Sequence, residues 1–293
     1  MRILVTGKEG QVARSLEQHA ETIEGMELIR VGRPDFDLLN PESVREAIGA
    51  AKPDIVVSSA AYTAVEQAEA EPELAFGANA IGAGLVAEAA AGAGAAIIHL
   101  STDFVFSGTQ SGDHIETDPT GPLSIYGLSK LDGEHKVAAA NPRHVILRTA
   151  WVYSPFGRNF VKTMLGLARE RDTVRVVGDQ WGNPTSAGDI AKGILRIAAR
   201  VSEQRPKYGV FHLAGQGHTS WAGFAREIFA ESERLGGPFA AVQEITTAEF
   251  PTKAARPRNS RLSCAKLFDA YRWQPGPWQE SLGPVVARLL IEG

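Results

Sequence analysis

Residues 2–13 read RILVTGKEGQVA, and this dozen decides the fold. ILVT at positions 3–6 is a short, apolar, β-branched run, as expected of a strand buried on both faces. It passes directly into TGKEGQVA, where Gly7, Gly10 and Ala13 are spaced three apart and a helical stretch begins at Gln11. Glycine at 7 permits a tight turn, glycine at 10 lets backbone approach a pyrophosphate, and a small residue at 13 lets the helix lie close to the strand. Backbone amides and the positive end of the helix then face the phosphates. Strand, loop and helix in this order point to dinucleotide binding.

Working outward, six further apolar runs follow: ELIRV, DIVVS, AIIHL, HVILR, VRVVG and VFHLA. Runs apolar throughout belong to a parallel sheet covered on both sides. Helical stretches lie between them: Gln11 to Ala20, Pro41 to Ala51 with Asn40 as N-cap, alanine-rich Pro72 to Ala91 with Asn79 inside it, and Tyr126 to Ala140. The alternation predicts an α/β fold, a doubly wound Rossmann-like parallel sheet with a smaller C-terminal substrate-binding lobe. Residues 1–150 form the expected dinucleotide-binding domain. Residues 151–293 are mainly the lobe, laced discontinuously, with segments near 172–215 returning to the first domain. There is no internal repeat, and AEAAAGAGAA at 87–96 reads as a helix end running into a glycine turn.

Composition narrows the partners. A net charge of −4 over 293 residues, with charges of both signs well mixed, offers no basic surface for nucleic acid. No run of eighteen apolar residues suggests a membrane span, and the chain opens on a strand rather than on a signal peptide's apolar region. A cytoplasmic protein is expected. The single cysteine, Cys264, has no companion for a disulfide or metal site and reads as a small packing residue.

Chemistry-bearing residues gather at the ends of the expected strands. After ELIRV comes Gly32-Arg33, in the corner where an NAD enzyme usually places an acidic residue; an arginine there pairs with a 2′-phosphate, so NADP(H) is favoured while NAD(H) stays admissible. Asp37 and Leu38 follow, either meeting the adenine edge or capping a turn. AIIHLSTDFVFSG carries Ser101, Thr102 and Asp103 at its carboxyl end, the sheet edge where such folds bind ligands. Tyr126 and Lys130 in SIYGLSK lie one helical turn apart on one face. A tyrosine of ordinary pKa about 10 is a poor acid at neutral pH, and a nearby lysine cation is expected to lower it.

TGxxGxxA, a Ser/Thr ending the fourth strand and YxxxK together resemble the extended short-chain dehydrogenase/reductases that act on nucleotide sugars. SSAAYTAVEQAE, YGLSKLDGE, LRTAWVYSPFGRNFVKTM, VVGDQWGNPTSAGDIA and ARPRNSRL narrow the likeness, over nearly the whole chain, to the dTDP-4-dehydrorhamnose reductase family. That resemblance implies NADPH-dependent reduction of the C4 ketone of a dTDP-linked keto sugar. It makes Tyr126 the acid, Lys130 its pKa-lowering partner and a contact of the nicotinamide ribose, and Thr102 the hydroxyl on the C4 carbonyl oxygen. Gly7, Gly10, Gln11 and Val12 match the phosphate loop, Asp37 and Leu38 the adenine contact, and Ala60, Ala61 and Tyr62 the segment beneath the cofactor. Thr63, Val65 and Trp151 match the sugar or thymine pocket, with Asn159 and Arg256 toward the diphosphate.

Departures from the family pattern carry weight. Ala13 replaces a frequent glycine, and Phe104 stands where many relatives have tyrosine, at the edge of the substrate site. Ser15 and Gly188 occupy positions where some relatives bring acidic side chains to magnesium at a dimer interface, so Mg²⁺ is not carried over and a homodimer stays an open expectation. Glu66 and Glu69 read as a solvated face. Four of the five tryptophans read as packing. Two rivals stand beside the main reading: a reductase of another dTDP-4-keto sugar, of the 6-deoxy-L-talose or dihydrostreptose branch, and a non-catalytic regulatory subunit of the same fold. The intact Thr102, Tyr126 and Lys130 trio argues against the second.

Overall fold

A computed structural model describes residues 1–201 and 206–292. The chain begins with β1 (Arg2–Thr6), α1 (Gln11–Ala20), β2 (Glu27–Val31), α2 (Pro41–Ala51) and β3 (Ile55–Ser58). The helical stretch α3 (Pro72–Gly92), β4 (Ala96–Thr102), α4 (Ile125–Ala140) and β5 (His144–Thr149) complete the first half. α5 (Ala187–Val201) and β6 (Gly209–His212) return later in the chain. The six strands form one all-parallel sheet in the order β6-β5-β4-β3-β1-β2. Strand order reverses between β1 and β3, the switch point at which doubly wound sheets bind ligands.

Both faces of this sheet are covered, which is why its strands are apolar at successive positions. Ile3, Val5, Val57, Ile98 and Leu147 face α1 and α5, whose Leu16, Ile190 and Ile194 are fully buried against them. The alternate residues Leu4, Val56, Ile97 and Ile146 face α2, α3 and α4 through Val44, Ile48, Val86 and Val137. Each fully buried side chain of this size contributes about 1.5–3 kcal/mol relative to exposure. Asn40 caps α2 as its sequence position implies, accepting from the Glu42 and Ser43 amides at 3.1 and 3.3 Å.

Three elements differ from the sequence reading. VRVVG, in the strand Thr173–Val177, does not join the main sheet but pairs in parallel with Ala241–Ile245 as a separate ribbon. Arg175 in the middle of that run explains this: one of its faces is wet, with Arg175 3.6 Å from Glu249, whereas a central strand is dry on both. Its partner strand lies in GPFAAVQEITTAEF, which is not among the apolar runs read from the sequence. The third is α3, which is interrupted by a π-helical turn at Gly77–Gly82. An added β-carbon on Gly82 would stand 2.7 Å from the Leu38 carbonyl, so the turn packs there on backbone that only glycine admits, while one on Gly77 would meet the Leu39 side chain at 2.9 Å. α3 is long and apolar enough to cross a membrane by composition, yet half of it is buried on the sheet.

A second cluster joins Tyr153 of the short strand Val152–Tyr153 to Val161, Met164, Phe224, Ile228, Trp278 and Val286 of Phe160–Ala168, Trp221–Arg234 and Trp278–Glu292. It forms a lobe beside the carboxyl ends of the strands, tied to the sheet by Gln11, whose side-chain carbonyl accepts from Ser154 at 2.7 Å and Asn159 at 3.2 Å.

Candidate active site

The loop after β1 is built for close approach. Gly7 has φ 90°, a conformation open to glycine, and a β-carbon there would press the Ala60 backbone at 3.3 Å. Gly10 precedes α1 without any side-chain cap, so the first amides of the helix are free to bind an anion. Thr6 Oγ1 accepts from the Ser59 and Ala60 amides at 3.1 and 3.0 Å, holding the loop after β3 alongside. Between these loops lies a cleft of about 1070 Å³, lined by Gly7–Val12, Gly32, Arg33, Phe36–Leu39, Ser59–Ala64, Leu100, Ser101, Tyr126 and Lys130. Its length across the switch point, its free amides and its glycine cradle fit a dinucleotide.

The π turn of α3 sets the floor of this cleft. It turns Asn79 inward, where its amide accepts from Tyr62 N at 2.8 Å and donates to Tyr62 O and Ser129 Oγ, both at 3.0 Å. The Asn79 carbonyl meets α4 at Gly133, where an added β-carbon would lie only 2.1 Å away. One residue thereby couples the Ala60–Tyr62 segment to the helix that carries Tyr126 and Lys130.

Ser124 caps α4, accepting from Gly127 N at 3.1 Å, and Glu69 accepts from Ile125 N at 2.8 Å. Tyr126 and Lys130 project from the first turns toward the end of β4. The buried Lys130 ammonium donates to Leu100 O at 2.6 Å and approaches His99 Nε2 at 3.4 Å. Because an ammonium only donates, His99 Nε2 is the acceptor and its Nδ1–H faces Ser58 Oγ at 3.1 Å. Burial, with the Lys130 charge adding to it, holds the imidazole neutral, well below its ordinary pKa. Burial also brings the Lys130 ammonium down to about 8, against the raising influence of Glu134.

Tyr126 stands edge-on to Phe104, with ring centroids 5.6 Å apart, and within hydrogen-bonding reach of Thr102. Removal from water pushes its phenol up to about 12, offset in part by Thr102 and reinforced by Asp103. The sequence reading expected Lys130 to lower this pKa. The structure holds the lysine on Leu100 and His99 instead, and desolvation outweighs the rest. A phenol that keeps its proton at neutral pH is suited to donating it, since an alkoxide is far more basic than a phenolate.

The remaining expected site residues divide. Arg33 lies at the mouth of the cleft, 81% exposed, 3.7 Å from Asp37. Asp37 caps a turn, its Oδ1 accepting from Leu39 N at 3.0 Å, and Leu38 is buried beside it. Thr63 continues the wall, whereas Val65 opens the short Val65–Ala68 helix and is not part of the lining. Trp151, at φ 47°, stacks on Trp221 with centroids 3.6 Å apart and packs closely against Gly182, where an added β-carbon would lie 2.5 Å from its ring. Asn159 is used structurally: its side chain caps the Phe160–Ala168 helix and donates to Ser154 O at 2.8 Å. Arg256 pairs with Glu66 at 2.8 Å, and Glu66 also accepts from the Lys253 and Ala254 amides. Glu66 and Glu69 are therefore no solvated face; each ties two chain segments together.

A family model described as the RmlD substrate binding domain matches residues 1–291. The chain belongs to the RmlD family. Among relatives, a dTDP-4-dehydrorhamnose reductase from Sinorhizobium fredii is 49% identical over the whole chain and 99% of its own length. The crystal structure of a dTDP-4-dehydrorhamnose reductase from Clostridium acetobutylicum superposes with a TM-score of 0.90 at 39% identity, covering 99% of both chains. That of a Bacillus anthracis dTDP-4-dehydrorhamnose reductase in complex with NADP gives 0.89 at 34% identity, covering 100% of this chain and 99% of the other. The likeness read from the motifs is thus borne out over the full length.

Within this RmlD-family site, sequence reasoning passed over His99 and Glu134. Glu134 lies four residues beyond Lys130, on the helix face that Tyr126 and Lys130 share, and that i, i+4, i+8 spacing was the available signal. It accepts from Ser101 Oγ and forms a forked pair with Arg148, at 2.9 and 2.7 Å, both side chains buried. Among the described residues no group of three or more His, Cys, Asp or Glu side chains could hold a metal ion.

Proposed function

We propose that this protein is an NADPH-dependent reductase that converts the C4 ketone of dTDP-4-dehydro-β-L-rhamnose to the alcohol of dTDP-L-rhamnose. The observation that carries this reading is the placement of Tyr126 and Lys130 on the wall of a dinucleotide-sized cleft, with the buried Thr102 within hydrogen-bonding reach of Tyr126. The names of its full-length relatives support the substrate class. When bound, the reduced nicotinamide supplies the hydride. The uncapped start of α1 holds its pyrophosphate, Arg33 pairs with the 2′-phosphate, and Lys130, with one N–H beyond those given to Leu100 and His99, holds the ribose.

Tyr126 then donates its proton to the oxygen on which charge develops, while Thr102 orients that oxygen and shares the charge. Arg256 and Trp151 flank the lobe side, where the diphosphate and thymine enter; Arg256 exchanges Glu66 for phosphate oxygens, and Thr63 and Val65 border the sugar. The protein works in the cytoplasm, where reduced nicotinamides and sugar nucleotides are made.

The reading is tested by incubating the protein with enzymatically prepared dTDP-4-dehydro-β-L-rhamnose and NADPH and identifying the product. Formation of dTDP-L-rhamnose is expected; another C4 epimer, or no turnover despite NADPH binding, overturns it. Arg33→Ala is expected to raise the Michaelis constant for NADPH roughly tenfold, the worth of one charged hydrogen-bonded contact, and to leave that for NADH unchanged. Equal changes for both cofactors would remove Arg33 from the 2′-phosphate.

A further inference from the structure

Thr102 carries one hydroxyl proton and two lone pairs, and all three are committed. Its proton goes to Asp103 Oδ1 at 2.9 Å, its oxygen accepts from Phe104 N at 3.2 Å, and its remaining side lies against the Tyr126 phenol. In this arrangement Thr102 has no proton to offer a substrate carbonyl. Asp103 controls that proton. It is 2% exposed, and its Oδ2 is buried without a hydrogen-bond partner, a costly condition for a carboxylate oxygen.

We propose that Asp103 is a positioning residue: as a carboxylate it holds the Thr102 proton away from the substrate oxygen, and as a carboxylic acid it releases that proton toward it. The inference rests on the reductase reading above. Protonated Asp103 donates to Thr102 Oγ1, reversing the direction of their hydrogen bond, and the Thr102 O–H turns to the substrate. Asp103 transfers no proton in the net reaction. The hydride reaches C4 and the Tyr126 proton reaches the oxygen, so the balance is that of the reduction itself.

The surroundings favour such a switch. Burial pushes the Asp103 carboxyl up to about 6, with the Ser260 and Thr102 hydroxyls pulling it back. On α4 the facing titratable group is the Tyr126 phenol, while Lys130 is held by Leu100 O and His99. On the segment that supplies Ser260, Arg256 pairs with Glu66, Arg258 is exposed, and Arg261 is held by Asn259 and near Asp113. The sign follows: the acid form is productive, so turnover falls as pH rises through the Asp103 pKa.

The test is the pH profile of kcat between pH 5.5 and 8 for the wild type, Asp103→Asn and Thr102→Val, with NADPH affinity followed by fluorescence. Wild-type kcat is expected to fall by at least about tenfold across this range, as one ionisation near its lower end requires. Asp103→Asn, whose amide donates to Thr102 at every pH, is expected to flatten the profile to within about twofold. A wild-type limb persisting in Asp103→Asn overturns the proposal, as does loss of all turnover at pH 5.5 with NADPH binding intact, which would make Asp103 a direct participant. A second measurement needs no substrate: in carboxyl ¹³C spectra, Thr102→Val is expected to raise the Asp103 pKa, because a donor to the carboxylate has been removed. An unchanged pKa overturns the coupling. Failure of the reductase reading is distinguishable, since the wild type would then bind NADPH and reduce no dTDP-4-keto sugar, while the carboxyl titration still decides the Thr102–Asp103 contact.

Discussion

Tyr126→Phe is expected to lower kcat by about 10²–10⁴, the usual contribution of a positioned general acid, and to change NADPH affinity by less than about twofold. The substitution removes one oxygen from a half-buried ring. The edge-on contact with Phe104 survives, because it depends on the ring and not on the hydroxyl. The cofactor affinity survives because the phosphate loop and Arg33 lie at the other end of the cleft. What disappears is the proton that quenches the alkoxide. With the phenol held at about 12, the wild-type side chain stays protonated throughout the neutral range, so Tyr126 itself imposes no pH dependence there. Steady-state kinetics with a fluorescence titration of NADPH checks the split between kcat and binding. A variant with more than about a tenth of wild-type kcat would assign the acid elsewhere, because so small a loss lies outside the range for general acid catalysis.

How much of this was legible in the sequence depended on whether the signal was local. The loop after β1 was readable because its spacing is its mechanism: Gly7 and Gly10 each answer a backbone requirement that the fold confirms at φ 90° and in the uncapped start of α1. The pairing of Tyr126 with Lys130 was readable from helical geometry alone. The expected effect of that pairing was not, because the position of Lys130 Nζ is set by Leu100 O and His99, residues thirty positions away on β4. Arg256 and Asn159 were placed toward the diphosphate by the family resemblance, while Glu66 and the Phe160 helix determine where their nitrogens point in this structure. VRVVG was misplaced for the reverse reason. Its apolar residues were read without weight on Arg175 inside the run, the local signal that one face stays wet. Long-range partners decided the other cases, and a single sequence holds no record of who they are.

Arg148→Met is expected to lower stability by about 3–5 kcal/mol, the cost of leaving a buried charge without its partner. Arg148 and Glu134 are 6% and 3% exposed and joined by a forked pair of hydrogen bonds, so neither charge has water to fall back on. Glu134 also accepts from Ser101 Oγ, and the Arg148 guanidinium lies 5.0 Å over the Phe106 ring. Glu134 has a further consequence for the site, because its charge is what raises the Lys130 pKa against burial. Where that charge is removed, as by Glu134→Leu, the Lys130 ammonium should therefore titrate below its value of about 8, and any rate that depends on it should decline at lower pH than in the wild type. Replacing both members, as Glu134→Leu with Arg148→Met, removes both charges from the interior and is expected to recover most of the stability while leaving the Lys130 pKa depressed. Urea unfolding of the wild type, Arg148→Met and the double variant separates the two effects. If Arg148→Met unfolds at the wild-type urea midpoint, the pair is not the buried support of the catalytic helix described here. If the double variant is stable but keeps the wild-type alkaline limb, the charge of Glu134 does not reach Lys130.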